Sequence, residues 1–342
     1  MLTRTVNRVG IRLESWIRPN PLTNVYGMSR SIMAAALALT LLSTPAAVLF
    51  PGKSTVDIAT TPNPLASISF YAIVHLPITY SVLFSVIALV LIAIGWRPRW
   101  TGILHWWITY SFHLSSSTQD GGDKIASIIT LLMIPMTLAD SRHFHWSPPV
   151  AGDLSLGGDL TRLCSWMAAL MIRLQIAGIY FHSAIAKLGI PEWRDGTALY
   201  YYFTLPTFGA PPPLLRVLMP ILRNKYGVSL LTWGTILLEL VLFMALTMPR
   251  KRRWSLLPIA LCFHIAIAVI HGIPSFAMIM CAALILYLHP LDTPFTIRSP
   301  LSRPVSHFWF SKHSRGSEAR FEAENRSQET HGGRTVRAAD KA

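Results

Sequence analysis

Long apolar runs alternate with short polar or basic segments over most of this chain. A helix that crosses the hydrocarbon core of a bilayer needs about 20 apolar residues. Eight runs approach or reach that length, at 31–50, 71–94, 101–117, 125–138, 164–188, 227–248, 255–271 and 274–289. The pattern predicts an all-α fold, a polytopic transmembrane helical bundle of about eight spans. Whether 101–117 and 125–138 both cross completely stays open, because both are short.

Three regions divide the chain. Residues 1–30 form a basic N-terminal segment, expected in the cytoplasm or at the membrane interface. Residues 31–290 form the transmembrane domain, and residues 291–342 lack the apolar content for a core, which predicts a polar, largely disordered cytoplasmic tail. The connection 189–226 is too apolar and aromatic for a solvated linker, so we expect interfacial or re-entrant helices there.

The composition fits a membrane protein and decides how the charge is interpreted. Of 342 residues, 52% are hydrophobic and 13% are charged, whereas soluble domains carry about 25% charged residues. The net charge of +14 therefore reflects membrane topology and not nucleic-acid binding. Lys and Arg concentrate in the two termini and in 95–100, 139–163 and 249–254. This distribution predicts a multi-pass protein of the bacterial plasma membrane with both termini in the cytoplasm; the basic connection 189–226 is the exception, because it falls outside.

The fifth apolar run carries polar side chains that are costly in lipid. Arg173, Tyr180 and Lys187 follow one another at seven-residue intervals and so share one helix face. Gln175 and His182 lie on the same helix. A cation at the bilayer centre costs about 2.5 kcal/mol or more, so this helix is predicted to form the wall of a polar site. The alternative for Lys187 is that it snorkels to the interface.

Ionisable groups in the other runs and turns are the candidate partners of this helix. We expect Arg173 to lie near Glu239 or His264, since unpaired polar groups in lipid are costly; a purely structural Arg173–Glu239 pair is the alternative. A desolvated lysine beside other cations can act as a base, which makes Lys187 the candidate base. Its cavity is expected to include Tyr180, His182, Glu239, His264, Asp120, Asp123, Trp193 and Arg194. No spacing typical of metal ligands is present, so no metal site is predicted.

Three stretches resemble the HTTM family, the transmembrane domain shared with vitamin K-dependent gamma-carboxylase. They are RLQIAGIYFHSAIAKLGIPEWRDGTALYY (173–201), DGGDKIASIITLLMIPMTLADSRHFHWS (120–147) and FHIAIAVIHGIPSFAMIMCAALILYL (263–288). The stretch TNVYGMSRSIMAAALALTLL (23–42) further resembles the branch of the family that matures a sporulation-delaying antimicrobial peptide.

The resemblance implies a scaffold with an outward-facing cavity. In the carboxylase, the lysine that precedes Leu in this helix deprotonates vitamin K hydroquinone. By motif match that position is Lys187, and His264 stands at the family's histidine. A quinone or hydroquinone is therefore the candidate cofactor. Carboxylation itself is not implied, because Ala186 stands where the carboxylase has a second lysine and no large domain follows Leu288.

Three functions are compatible with these patterns. The first is maturation or export of a sporulation-delaying-type antimicrobial peptide, with the exported toxin precursor and a maturation protein as partners. The second is a quinone-linked membrane enzyme, carboxylase-like or otherwise. The third is a transporter or peptide-binding membrane protein without chemistry. A gene for a small secreted peptide beside this one would favour the first, and quinone dependence of an activity would favour the second.

Overall fold

The computed structural model describes residues 19–51, 67–74, 76–148 and 156–295. Within these residues the chain is almost entirely helical, and the backbone pairing between Trp96 and Phe144 is an isolated bridge. The helices are α1 (Asn24–Ser43), α2 (Ala46–Leu49), α3 (Phe70–Ile73), α4 (Ile78–Ile94), α5 (Pro98–Ser115), α6 (Gly121–Ala139), α7 (Leu156–Leu188), α8 (Pro191–Arg194), α9 (Ala198–Thr204), α10 (Pro212–Arg223), α11 (Lys225–Met244), α12 (Arg250–His271) and α13 (Pro274–Leu288). The predicted all-α class is confirmed.

Six of the eight apolar runs correspond to one helix each, whereas 31–50 covers the end of α1 and all of α2, and 71–94 covers most of α3 and all of α4. Five helices among the described residues, α1, α6, α7, α11 and α12, are long and apolar enough to cross a membrane. Two more, α4 and α13, are apolar but shorter, with 17 and 15 residues. Helix α5 has 18 residues and includes Arg99, His105 and His113, which lower its apolar character. The number of complete spans therefore stays a prediction.

Helix α1 begins seven residues before the apolar run that predicted it. The side chain of Thr23 caps the helix by accepting a hydrogen bond of 3.2 Å from the amide of Val25. An N-cap hydroxyl satisfies one of the free amides of a first helical turn, so the helix starts at the cap and not at the first continuous apolar residue. Arg30 consequently lies inside α1 and is fully buried.

Helix α13 is the most deeply buried element of the bundle. It packs against α1, α6, α7 and α12, and from Ala282 to Leu288 every side chain is buried. Its sequence is apolar on all faces, which is typical of a helix surrounded by others. The main hydrophobic core is built around it, with contributions from α1, α6 and α7.

Contacts between the connections divide the described bundle into two ends. At one end, which we call the basic end, Asn24 exchanges hydrogen bonds of 2.8 and 2.9 Å with the backbone of Phe295. Arg250 is bonded there to Asp292, and the amide of Arg97 donates to the carbonyl of His143 at 2.7 Å. The described parts of 95–100, 139–163 and 249–254 thus share the end at which α1 begins.

The opposite end collects the less basic connections and the 189–226 segment. The amide of Ser117 donates to the carbonyl of Leu49 at 2.9 Å, and His271 Nδ1 lies 2.7 Å from the carbonyl oxygen of Phe208. Helices α8, α9 and α10 occupy the 189–226 connection, as expected for a segment too apolar to be a linker. Their position at a membrane interface stays a prediction.

Candidate functional site

A groove of about 1030 Å³ runs along one face of α7. Helices α6 and α7 form its walls, and α8 and α9 contribute at one end. Its lining consists of Gly121, Lys124, Ile125, Ile128, Leu132, Met171, Leu174, Gln175, Gly178, Ile179, His182, Ser183, Ala186, Lys187, Ile190, Trp193 and Tyr202. Most of these side chains are apolar, and the polar ones gather toward the end of the groove that holds Lys187.

Lys187 and Glu239 form an ion pair at this end. Lys187 Nζ lies 2.8 Å from Glu239 Oε1 and 2.9 Å from Oε2. It also donates to Ser183 Oγ at 2.7 Å, and Ser183 Oγ donates to Glu239 Oε1 at 3.0 Å. Helix α7 packs against α11, which brings Glu239 to the last turn of α7. A lysine is favourable there because it complements the negative end of the helix dipole.

The burial of the two charges makes the pair costly to break. The Lys187 side chain is 19% exposed and that of Glu239 is 7% exposed. Removing one member of a buried ion pair costs about 3–5 kcal/mol, because the other charge is left without compensation. The pair therefore fixes α7 against α11, and it also presents a polar group to the groove.

Aromatic and polar side chains surround the ammonium group. Lys187 Nζ lies 5.2 Å from the ring centre of Trp193, within cation–π distance. Trp193 is buried in α8 and packs at 5.7 Å from the ring of Tyr202 in α9. His182 and Gln175 line the same groove, one and three helical turns before this end. Lys187, His182 and Trp193 thus line the same groove, and their role as a functional site stays a prediction.

His264 does not share the groove with Lys187, contrary to the expectation for a common cavity. It is buried against α7, and its Nε2 lies 2.9 Å from the hydroxyl of Tyr180. The rings of Phe263 and Phe276 enclose it at 5.1 and 5.9 Å. Tyr180 and His264 therefore form a helix-to-helix hydrogen bond in the core, because α7 turns this face toward α12 and α13.

The expected partnership of Arg173 with Glu239 or His264 is also wrong. Glu239 is held by Lys187, and His264 by Tyr180. Fourteen residues separate Arg173 from Lys187, which places them about 21 Å apart along the helix. Arg173 lies instead in a pocket at the basic end with Arg250 and Arg253. Seven-residue spacing put the side chains on similar faces of one helix, but at different depths.

Asp120, Asp123 and Arg194 have local roles away from the groove lining. Asp120 Oδ1 accepts from the amides of Gly122 and Asp123 at 2.7 and 3.1 Å. Asp123 Oδ2 accepts from the amide of Asp120 at 3.0 Å, which completes a capping box at the start of α6. Arg194 is exposed at the end of α8. These residues were expected in the cavity of Lys187. The two carboxylates instead accept hydrogen bonds from backbone amides, and none of the three residues lines the groove.

The described residues hold no group of three or more His, Cys, Asp or Glu side chains that could bind a metal ion. What the groove offers chemically is an apolar channel that ends at the Lys187 amine and the Ser183 hydroxyl, with the Glu239 carboxylate bonded behind them outside the lining. The ammonium group of Lys187 donates to both carboxylate oxygens of Glu239 and to Ser183 Oγ, and a longer contact of 3.5 Å joins it to the carbonyl oxygen of Ser183.

A buried polar network at the basic end was missed from the sequence. Tyr26 donates to Asp140 Oδ2 at 2.6 Å, and Arg142 donates to both oxygens of Asp140 at 2.8 Å. Arg30, fully buried, lies 3.3 Å from Nδ1 of His145 and donates to Thr101. The signal for it was Thr23 as an N-cap, which would have placed Tyr26 and Arg30 inside a helix and not in an interfacial segment.

His145 is the centre of this network and touches three elements. Its Nε2 lies 3.1 Å from Ser31 Oγ, and its amide donates to the carbonyl of Gly95 at 3.1 Å. Gly27 and Gly95 leave room for the ring, because a Cβ at either position would overlap it. Burial, together with the cations of Arg30 and Arg142, lowers the pKa of His145 to about 3.

Comparison with known proteins decides the family. Sporulation-delaying protein SdpB of Bacillus subtilis (strain 168) is 34% identical over 299 residues, which cover 86% of this chain and 90% of that protein. The chain belongs to the SdpB family. Uncharacterized protein YitO of the same organism is 39% identical over 309 residues, covering 89% of this chain and 96% of YitO. No family model and no solved structure matches the chain.

Membership of the SdpB family agrees with the helices. An SdpB-family chain with five described helices that can cross a membrane is a membrane protein. The matched region covers most of the chain, so the family assignment applies to the whole bundle and not to one motif. The resemblance to the HTTM family, which no family model supports, stays a prediction.

Proposed function

We propose that this SdpB-family protein resides in the bacterial plasma membrane and acts in the maturation or export of a sporulation-delaying-type antimicrobial peptide. The observation that carries the proposal is the similarity to Sporulation-delaying protein SdpB, which extends over 90% of that protein. The exported toxin precursor is the proposed substrate, and a separate maturation protein is the proposed partner. Both termini are cytoplasmic in this proposal, so the Lys187 end of the groove faces outward.

The groove is the proposed binding place for the precursor. Its volume of about 1030 Å³ lies at the upper end of the range for ligand sites, and its wall between Ile125 and Leu132 is apolar. An apolar peptide segment gains from covering these side chains. The ion pair of Lys187 and Glu239 then meets the polar backbone or a terminal group of the peptide at the outward end. Specificity would come from this end, because the apolar wall has no directional contacts.

The HTTM-like scaffold gives Lys187 a chemical role in this proposal. Proton transfer from Nζ to the Glu239 carboxylate, across 2.8 Å, yields a neutral amine and a neutral acid. The amine then has a lone pair that can remove a proton from a bound group. Ser183 keeps the amine oriented through its hydroxyl, which lies 2.7 Å away. This order of steps makes Glu239 as necessary as Lys187 for any chemistry.

A quinone-linked enzyme is the second candidate, favoured by the aromatic lining of the same end. Trp193 and Tyr202 supply faces on which a quinone ring can stack, and His182 supplies a hydrogen-bonding group beside it. A bound quinone or hydroquinone would supply redox chemistry or an acidic hydroxyl. The chain's own part would be to hold the ring at Trp193 and to take a proton at Lys187. A transporter or peptide-binding protein without chemistry would use the groove alone.

Three variants in a strain that lacks the chromosomal copy test the proposal. Lys187→Arg keeps a cation but not an amine that can release its proton, Lys187→Met removes the charge, and Arg194→Gln is the matched control at an exposed cation nearby. Mature peptide is measured by mass spectrometry and protein abundance by immunoblot. A base predicts that both Lys187 variants abolish maturation, with normal abundance at least for Lys187→Arg, while Arg194→Gln matures peptide normally.

The other outcomes separate the candidates. If Lys187→Arg matures the peptide at the normal rate and Lys187→Met lowers abundance, Lys187 is a structural cation and the base assignment is wrong. If activity requires added quinone, the second candidate is favoured. Normal amounts of mature peptide in the strain without the gene would contradict the proposed function itself.

A further inference from the structure

A second pocket lies at the basic end, where its Arg173 is about four helical turns from Lys187 along α7. Its volume is about 270 Å³, and it lies between α7, the first turn of α12 and the segment after α13. Arg173, Arg250, Arg253 and Asp292 form its polar lining. Trp166 and Leu170, on α7, form its apolar wall; Leu170 is exposed, and the indole N–H of Trp166 donates to the carbonyl of Pro19 at 2.9 Å.

The lining of this pocket has an excess of positive charge. Asp292 is already bonded to Arg250, which also donates to Thr293 at 3.0 Å. Nε of Arg173 and Nε of Arg253 are buried and have no hydrogen-bond partner among the described residues. Buried donors are normally satisfied, and three guanidinium groups face one carboxylate. The pocket thus presents two unpaired N–H donors, from Arg173 and Arg253, that an anion can accept.

The first turn of α12 adds further positive charge to the same pocket. Its first turn is Arg250–Lys251–Arg252–Arg253, without an acidic residue, and Pro249 before it provides no side-chain cap. The free amides of a helix N-terminus carry partial positive charge and favour an anion. Four cations at this position are therefore unfavourable unless an anion binds beside them. This helix has 22 residues, and the guanidinium of Arg173 reaches the pocket from a different helix. Two elements therefore direct donors at one point.

We propose that this pocket binds the phosphate group of an anionic phospholipid. Arginine side chains bind phosphate through paired hydrogen bonds, and basic pockets between membrane helices suit lipid headgroups. The apolar wall favours a lipid over free phosphate. Leu170, which is 37% exposed, can contact an acyl chain, and Leu174, one helical turn further on, lies where the lining of the groove begins. Trp166 stands at the level of the headgroup, where tryptophan is common.

Lipid retention by the full-length protein tests this site. The protein is purified into nanodiscs of phosphatidylcholine with a minor fraction of phosphatidylglycerol, and bound lipid is counted by native mass spectrometry after release. Arg173→Gln and Arg253→Gln each remove a guanidinium from the pocket. Arg252→Gln is the matched control, because it removes the same charge from the same helical turn at an exposed side chain outside the lining. Inorganic phosphate and glycerol phosphate are added as soluble competitors.

The site predicts preferential retention of phosphatidylglycerol by the unaltered protein. Either pocket variant is expected to weaken this preference about tenfold, the effect of losing a charge-assisted hydrogen bond, and Arg252→Gln less than twofold. An equal loss in Arg252→Gln would mean diffuse charge attraction and would overturn the proposal. Displacement by millimolar phosphate would assign the pocket to a free anion and overturn the lipid. Arg253→Gln, at the half-buried position, keeps the test valid if Arg173→Gln does not accumulate.

Discussion

The buried imidazole of His145 makes the stability of the protein depend on pH. Its pKa is lowered from the ordinary 6.5 to about 3 by burial and by neighbouring cations. The unfolded chain therefore takes up a proton below pH 6.5 that the folded protein does not, and the free energy of unfolding decreases as the pH falls from 6.5 toward 3. Above pH 6.5 His145 causes no loss of stability. Below pH 6.5 the free energy of unfolding decreases by up to about 1.4 kcal/mol per pH unit.

Thermal unfolding in detergent at pH 7 and pH 4.5 measures this effect. We expect the unaltered protein to lose stability on acidification, and His145→Gln to lose less, because it has no proton to gain at this position. His143→Gln is the control, since His143 is exposed in the same connection. If His145→Gln shows the same pH dependence as the unaltered protein and the control, the buried imidazole is not the cause.

The sequence identified the unusual charged residues of the helices, but not which of them form pairs. Lys187 and Glu239 were both recognised as unusual, because charge in an apolar run needs a partner. Their pairing depends on which turn of α11 lies against the end of α7, and helical periodicity contains no information on that depth. Glu239 was expected beside Arg173, which lies on a similar face of α7 to Lys187 but about 21 Å from it along the helix axis. Burial of Arg30 was not foreseen, since its charge drew it into the basic N-terminal segment.

Helices α5 and α6 form a close antiparallel pair through a glycine. A Cβ built at Gly102 would overlap the side chain of Thr137 on α6. Gly102→Ala is therefore expected to push the two helices apart and to lower the free energy of unfolding by about 1–3 kcal/mol. Gly234→Ala on α11 is the control, because nothing lies within 4 Å of its added Cβ, and alanine there should be neutral or stabilising.

Denaturant titration of the two glycine variants gives the comparison. Equal stability of both variants would contradict the close packing of α5 on α6.

The positions of the helices could be predicted in large part. Every apolar run is helical over most of its length, because apolar length is a strong signal. Caps and short helices were harder, because Thr23 and the capping box of Asp120 and Asp123 act through single hydrogen bonds that hydrophobicity does not report.

The arrangement of the whole bundle predicts its orientation in the membrane. Contacts between connections place 95–98, 140–148 and the α11–α12 turn at the end where α1 begins. Reporter fusions after Pro51, Lys251 and Ala342 should therefore read periplasmic, cytoplasmic and cytoplasmic. A periplasmic signal at Ala342 with correct insertion of the first fusion would contradict the topology of eight spans. The charges of the connections sufficed to group these segments, although not to show which surfaces meet.

The proposed function requires that the groove between α6 and α7 holds the toxin precursor. A photo-crosslinking amino acid is introduced at Gln175, which lines the groove, and at Leu237 on α11, which is 63% exposed and outside its lining. Each variant is expressed with the precursor, irradiated in cells and probed for the crosslinked product. We expect a crosslink to the precursor from position 175 and none from position 237 when the two variants are equally abundant. Equal crosslinks from both positions, or none from position 175 while the peptide still matures, would contradict it.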